Sequence, residues 1–425
     1  MSPLPKIAIR NVLKNARRSS AALVSLAAGF FAMASFAGYV SELEGRFADV
    51  IREKQMLGDL ILERAGVEKA GEESSWEHAL SVTDQRIIDE SMREMGPRVQ
   101  LTTRSLSLSG LVTSGKKTAV FLGFGYDVES GAKIRGERFA RDVSAGKTLL
   151  EARSDKVVIA GEGLARLLGC SITGEGAVAC KRPSIQLAAT TEGGRLNAVD
   201  AQIVGTVLPE LKEMNVRFMS MPLALAQRLS DSDRVSRYIV KLRDKNDLEA
   251  FKRDLVANAR SKGLELDAKA WNEHRFTEMY KQGMGMLHVF RAFVAVVVVL
   301  VAGMSVFNTM AKIVNERIRE IGALRALGFS RRQIIRLFLL EGGALGLLGV
   351  SIGALVSLLV AGLVNVSSLA YDAGMTSDPI VLAIAVHPDV YLEAALFLVV
   401  VGLFAAWMPA RRAALGSIPD ALTHA

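Results

Sequence analysis

"ERIREIGALRALGFSRRQIIRLFLLE", residues 316–341, lies between two apolar runs without a charged residue, 292–311 and 342–370. Residues 312–336 carry Lys312, Arg317, Arg319, Arg325, Arg331, Arg332 and Arg336 against Glu316 and Glu320. At about 2.5–3.5 kcal/mol for each charge at the centre of a membrane helix, burying all of them would cost more than about 20 kcal/mol. This segment therefore stays in water. It divides two membrane crossings.

Two more charge-free runs, 21–40 and 394–410, complete the set. A helix needs roughly 20 apolar residues to cross about 30 Å of hydrocarbon, so four spans are predicted. The first has a basic leader and "AMA" at 32–34, which resembles a signal-peptide cleavage site. The apolar run continues beyond it to Val40, and the segment is read as a retained span.

Lys and Arg in the short connections set the orientation. Lys6, Arg10, Lys14, Arg17 and Arg18 precede the first span without an acid, whereas 371–393 holds Asp372, Asp378, Asp389 and Glu393 without a base. The N-terminus, 312–336 and the C-terminal tail are predicted to be cytoplasmic. The stripe Lys6, Arg10, Lys14 and Arg17 suits a helix lying on the inner membrane surface. Of 52 basic and 44 acidic residues, the long segment 41–291 retains 38 and 36, so the net +8 reflects topology. Nucleic-acid binding loses its support.

The expected fold is a membrane α-helical protein with four transmembrane helices and a large extracytoplasmic α/β domain inserted between helices 1 and 2. Its parts are an amphipathic helix at 1–20, spans at 21–40, 287–311, 337–366 and 391–409, and the domain with helical stalks at 41–286. The cytoplasmic coupling segment is 312–336, the short outer loop 367–390 and the tail 410–425. Leu43, Phe47, Val50, Ile51, Leu57 and Ile61 recur at helical spacing, predicting that the first span continues outward. Strand-like runs start at Val99 and Lys117, Lys156 opens a strand-to-helix turn, and Ser236 opens a strand–helix–strand unit. Cys170 and Cys180 both fall in the outer domain. A bridge between them would contribute roughly 2–3 kcal/mol; two unpaired thiols are the alternative.

No catalytic constellation is present in the sequence. "GLVTSGKK" at 110–117 and "RDVSAGKT" at 141–148 each break the phosphate-loop pattern, and His78, His274, His288, His387 and His424 lack metal-site spacing. The chain is predicted to be non-enzymatic, without a cofactor of its own.

The charged segment has internal order. Gly328 suits a helix stop, Ser330 with Gln333 forms a capping box, and Phe329 before the cap can meet Ile334 after it. A new helix is predicted from Arg331, with Phe329, Ile334 and Ile335 as apolar knobs beside Arg331 and Arg332. Two readings are open on physics alone: a projection held by a cytoplasmic partner, or arginines anchored to lipid headgroups. In the third span Gly342, Gly346, Gly349 and Gly353 fall within roughly 60° of arc, a smooth stripe for a helix of the same subunit or of a second one. Glu341, inside that span, is expected to pair with Arg336 or with a neighbouring helix.

Residues 308–349, with Glu316, Arg317, Arg319, Glu320, Ile321, Gly322, Arg325, Ala326, Gly328, Ile334 and Glu341, resemble the permeases of MacB/FtsX-type ABC transporters. "IAIRNVLKNARRS" at 7–19 and "PARRAALGSIPDAL" at 409–422 are similar to that family's two ends. Length and span number look nearest the lipoprotein-releasing (LolC/LolE-like) and detached MacB-like permeases. The resemblance implies a subunit of a bacterial inner-membrane transporter that couples a separate cytoplasmic ATPase dimer, supplied with ATP and magnesium, to movement of a periplasmic domain. In that scheme Gly328, Phe329, Ser330, Arg331, Arg332, Gln333, Ile334 and Ile335 contact the ATPase, with Glu316, Arg319, Glu320 and Arg325 in support. It also implies a second permease copy or paralogue and a periplasmic or outer-membrane partner. A regulator of cell-wall hydrolases, as FtsX-like proteins are, and a membrane sensor are the competing classes.

Overall fold

A computed structural model of the chain describes residues 16–416 apart from 68–77, 140, 142, 174–175, 373, 375 and 378. The predicted surface helix at 1–20 lies largely outside the described residues, including Lys6, Arg10, Lys14 and the Arg17 side chain, as does the tail from 417. Arg46–Lys281 together with Tyr371–Ile380 form one compact unit, and the rest of the described chain forms the other.

Helix α1 (Ala16–Asp49) carries the first apolar run and then widens into a π turn at Val50–Lys54. The expected helical continuation through Leu57 and Ile61 does not occur, because Gly58 adopts φ +62° in a turn pressed against Val240. A Cβ at that glycine would lie 2.7 Å from the Val240 carbonyl oxygen. Ile61 instead enters strand β1 (Leu60–Arg64) and is buried with Ile51 and Leu57, with Trp271 and Tyr280 packed on them. The periodicity was that of a shared core, carried first by helix and then by strand.

The α/β unit is built on strands β1, β2 (Val99–Thr113), β3 (Thr118–Tyr126), β4 (Ala145–Gly146) and β5 (Val157–Gly161). The short hairpin β6 (Cys170–Ile172) and β7 (Val178–Cys180) follows, then β8 (Ile185–Thr190), β9 (Leu196–Val207), β10 (Phe218–Pro222), β11 (Arg237–Leu242) and β12 (Leu266–Ala270). Ten of these form one sheet, nine of them in the order β12-β1-β11-β2-β3-β10-β5-β9-β4 and β8 off that path. Strand β8 bonds to both β2 and β9, so β2, β3, β10, β5, β9 and β8 make a closed circuit without a free edge between them. Alternation places the core within single strands: in β8, Ile185, Leu187 and Ala189 are buried and the residues between them are not.

Beyond the circuit, β11, β1 and β12 carry the strand–helix–strand unit read from Ser236. Helix α2 (Val82–Glu94) places Ile88 and Met92 in the same core as Leu60, Leu62, Tyr238 and Val240. Helix α3 (Leu223–Ser230) and helix α4 (Leu248–Ser261) add Leu225 and Leu229, and Phe251 and Leu255. Cys170 and Cys180 face each other across β6 and β7 and are joined as a disulfide.

The second unit holds α1 up to Gly45 and α5 (Glu278–Glu316) from Gln282, with α6 (Ile318–Ala326), α7 (Arg331–Ser367) and α8 (Pro388–Leu415). Helices α1, α5, α7 and α8 are the four long enough and apolar enough to cross a membrane, and the chain is a four-span membrane protein with its α/β region between the first and second. At about 1.5 Å per residue, the 39 residues of α5 extend about 58 Å, well beyond about 30 Å of hydrocarbon. The spans close on a core that includes Leu26, Phe30, Val298, Ala302, Leu345 and Leu398. The glycine stripe of α7 packs within the chain. A Cβ at Gly342 would come 2.5 Å from the Ala406 methyl, and one at Gly353 would come 2.6 Å from the Ala27 carbonyl oxygen. Polar side chains meet across the bundle: Ser35 and Ser357 lie 3.1 Å apart, Ser357 and the Tyr391 hydroxyl 2.8 Å, and Ser25 donates to Ser305 at 3.1 Å.

Candidate coupling segment

The segment between the second and third spans is two turns rather than one. Helix α5 ends at Glu316, and Arg317 leaves helical geometry with φ −104° and ψ 17° before α6 begins. The sequence predicts one helix up to Gly328; the break at Arg317 corrects that. The physical reason lies in the arginine's partners. Its Nε donates to Glu320 Oε2 at 2.7 Å and its Nη1 to Glu341 Oε1 at 2.8 Å, while the guanidinium sits 5.7 Å from the Phe338 ring centre. Glu341 is only 2% exposed, so this carboxylate inside α7 receives its counter-charge from Arg317. Burial opposes the positive charge on Arg317, yet Glu320 and Glu341 together hold its pKa above the ordinary arginine value. Of the two partners expected for Glu341, Arg336 and a neighbouring helix, the structure pairs it with Arg317 at the N-terminus of α6.

Helix α6 buries Ile321 and Gly322 against the bundle, and Arg325 donates to the Gly416 carbonyl just past α8. Gly328 then turns the chain with φ +99°, a conformation that a side chain disfavours. Ser330 Oγ accepts from the Gln333 amide while Gln333 Oε1 accepts from the Ser330 amide, closing the predicted capping box at the start of α7.

Residues 326–333 are exposed without interruption. Leu327 is 81% and Phe329 39% exposed, beside Arg331, Arg332 and Gln333 on the surface. Ile334, expected as an apolar knob, is 1% exposed and sits in the bundle core, and Ile335 is half-buried against it. Its neighbours at helical spacing are Leu337, Phe338 and Glu341, all buried. The available apolar surface is therefore Leu327 and Phe329. The resemblance implies a coupling element at about Leu327–Ile335, but Leu327 is not among the apolar knobs read from the sequence, although a leucine directly before a left-handed glycine between two braced helices is poorly placed to join a core. Glu316, Arg319 and Glu320 are exposed on α5 and α6, with Glu320 paired to Arg317. Among the described residues, no group of three or more His, Cys, Asp or Glu is placed to hold a metal.

Residues 292–417 match the family described as FtsX-like permease C-terminal. They form an FtsX-like permease domain. The macrolide export ATP-binding/permease protein MacB of Escherichia coli K12 is 31% identical over 158 residues, 37% of this chain and 23% of that protein. The ABC transporter permease YtrF of Bacillus subtilis is 41% identical over 75 residues, 18% of this chain and 17% of YtrF. The chain thus spans about a quarter of the MacB proteins it matches. The extracellular domain of the noncanonical ABC-type transporter YknZ from Gram-positive bacteria aligns with 50% of this chain and 97% of its own length, at a TM-score of 0.34 and 10% identity.

Proposed function

We propose that this chain is the permease subunit of a MacB-type ABC transporter acting by mechanotransmission. A separate cytoplasmic ATPase dimer, binding ATP and magnesium, grips the turn centred on Leu327 and Phe329, and its closing moves α6 and the start of α7. The chain sits in a bacterial inner membrane with both termini cytoplasmic, works with a second permease copy or paralogue, and carries the Arg46–Lys281 domain in the periplasm. Its task is lipoprotein release or export of another envelope substrate, with a periplasmic or outer-membrane partner receiving the load.

The observation that carries this reading is an exposed leucine and phenylalanine held on a braced support within an FtsX-like domain. Anchoring to headgroups uses the arginines and leaves these apolar side chains in water; a protein groove covers both. Ion transport is a poorer use of this bundle, since the buried carboxylate Glu341 is already neutralised by Arg317. Leu327→Asp with Phe329→Asp should abolish copurification of an ATPase from native membranes, with insertion and yield retained. Undiminished copurification would place the docking surface elsewhere.

A further inference from the structure

A recess of about 280 Å³ opens in the helical unit, between the C-terminal part of α1 and the N-terminal parts of α5 and α8. Its walls include Phe36 and Ala37 of α1, Arg291 and Ala295 of α5, and Glu393 and Phe397 of α8. Small side chains make the hollow and aromatic ones flank it. The two charges have matching positions. Arg291 directly precedes the charge-free run 292–311, and Glu393 directly precedes the charge-free run 394–410. Both therefore stand at one edge of the hydrocarbon, where lipid phosphates and their substituents lie.

Arg291 and Glu393 share the recess without an ion pair to each other among the described residues, whereas the nearby His288 is engaged by Glu44 at 2.7 Å. Phe293 and Leu396, next along the same helices, are 60% and 66% exposed, so an occupant's chain would continue over an apolar surface. We propose that this recess binds one phospholipid with a zwitterionic head, of the phosphoethanolamine class, from the leaflet at that end of the spans. The phosphate meets the Arg291 guanidinium, the ammonium meets the Glu393 carboxylate, and one acyl chain runs along Phe36 and Phe397. Phosphatidylglycerol would satisfy Arg291 with the same phosphate but offer Glu393 neutral hydroxyls in place of an ammonium. A neutral diacylglycerol would leave both charged groups without a partner at the edge of the hydrocarbon. An arginine merely reaching for the surface would take any phosphate, so headgroup selectivity is the property that separates a built site from simple interfacial anchoring.

The test is native mass spectrometry of the full chain in mild detergent, with phosphatidylethanolamine, phosphatidylglycerol and diacylglycerol supplied at equal concentration. Retention of phosphatidylethanolamine should exceed that of phosphatidylglycerol by roughly tenfold, the weight of one charge-assisted hydrogen bond. Glu393→Gln should remove that preference while phosphate lipids are still retained. Arg291→Gln should reduce both phospholipids to the level of diacylglycerol, and Ala295→Trp, which fills the hollow, should do the same with both charges in place. Equal retention of the three lipids by the unaltered chain overturns the proposal without reference to any variant. So does an unchanged preference in a folded Glu393→Gln protein.

Discussion

Removing the Arg317 side chain would take from the buried Glu341 carboxylate inside α7 the guanidinium that donates to it at 2.8 Å. Breaking a buried pair from one side costs about 3–5 kcal/mol, so Arg317→Ala should lower the thermal unfolding temperature of the detergent-solubilised chain sharply. Arg317→Ala with Glu341→Gln should recover a substantial part of the loss; equal losses in the single and double variants would show that the carboxylate is not the cause. In the α/β unit, buried Glu63 lies 3.7 Å from Arg237 and 3.3 Å from His274. Burial alone would raise the Glu63 pKa, but the His274 imidazole at 3.3 Å and the charges of Arg237 and Arg275 bring it below the ordinary carboxylate value. Its contribution is therefore present above the unfolded-state pKa near 4.5 and is lost as pH falls through the lower folded value. Burial brings Arg237 down to about 10, still charged in both states at acidic pH, so it adds no slope there. Unfolding measured from pH 6 downward should show an acid-side loss that Glu63→Gln diminishes; an unaltered slope would assign the loss to other carboxylates. Sequence reasoning located the charged turn but named Arg336 as one partner of Glu341, because proximity along the chain is all that a local pattern offers. The stripe Ile334, Leu337, Phe338 and Glu341 was available as a sign that Ile334 faces inward.

Helices α1, α7 and α8 are held by close approach as much as by apolar area. Gly353 touches the α1 backbone, so Gly353→Ala forces the Ala27 carbonyl or the helix itself to move, at about 1–3 kcal/mol. Gly362, in the same helix, has nothing within 4 Å of its would-be Cβ, and Gly362→Ala should be neutral or stabilising by up to about 1 kcal/mol. Parallel unfolding of the two variants checks this, and equal effects would remove the packing argument. The glycine spacing was visible in the sequence, but its occupant was not: Ala406, Leu26 and Ala27 come from segments with no local relation to it. Strands fared similarly. Val99–Thr113 and Thr118–Tyr126 were legible through alternation, whereas the pairing of β8 with both β2 and β9, which closes the circuit, depends on register between distant segments.

For the chain as a whole, four crossings could be read directly because hydrocarbon imposes a length and a charge rule on each one. The orientation proposed from Lys and Arg makes a direct prediction. A cysteine introduced at Arg195, on an exposed loop of the α/β unit, should react with an impermeant maleimide once the outer membrane is made permeable. One introduced at Arg332 should react only after the inner membrane is opened. Simultaneous labelling of both would reverse the assignment of sides and remove the docking proposal with it. What composition could not reveal is that the stretch between the third and fourth spans belongs to the α/β unit. Ser377 donates its amide to the Glu210 carbonyl at 2.9 Å, Asp372 pairs with Lys212 at 3.2 Å, and Leu211 bridges to Thr376.

That last feature bears on how the protein can be recombined. A chimera that exchanges residues 46–281 between relatives as a single cassette separates Glu210, Leu211 and Lys212 from the ten-residue insert that meets them. A transplant faithful to the native boundaries is discontinuous: it must carry 371–380 as well, and gene fusions cut at the obvious borders would inherit a mismatched seam.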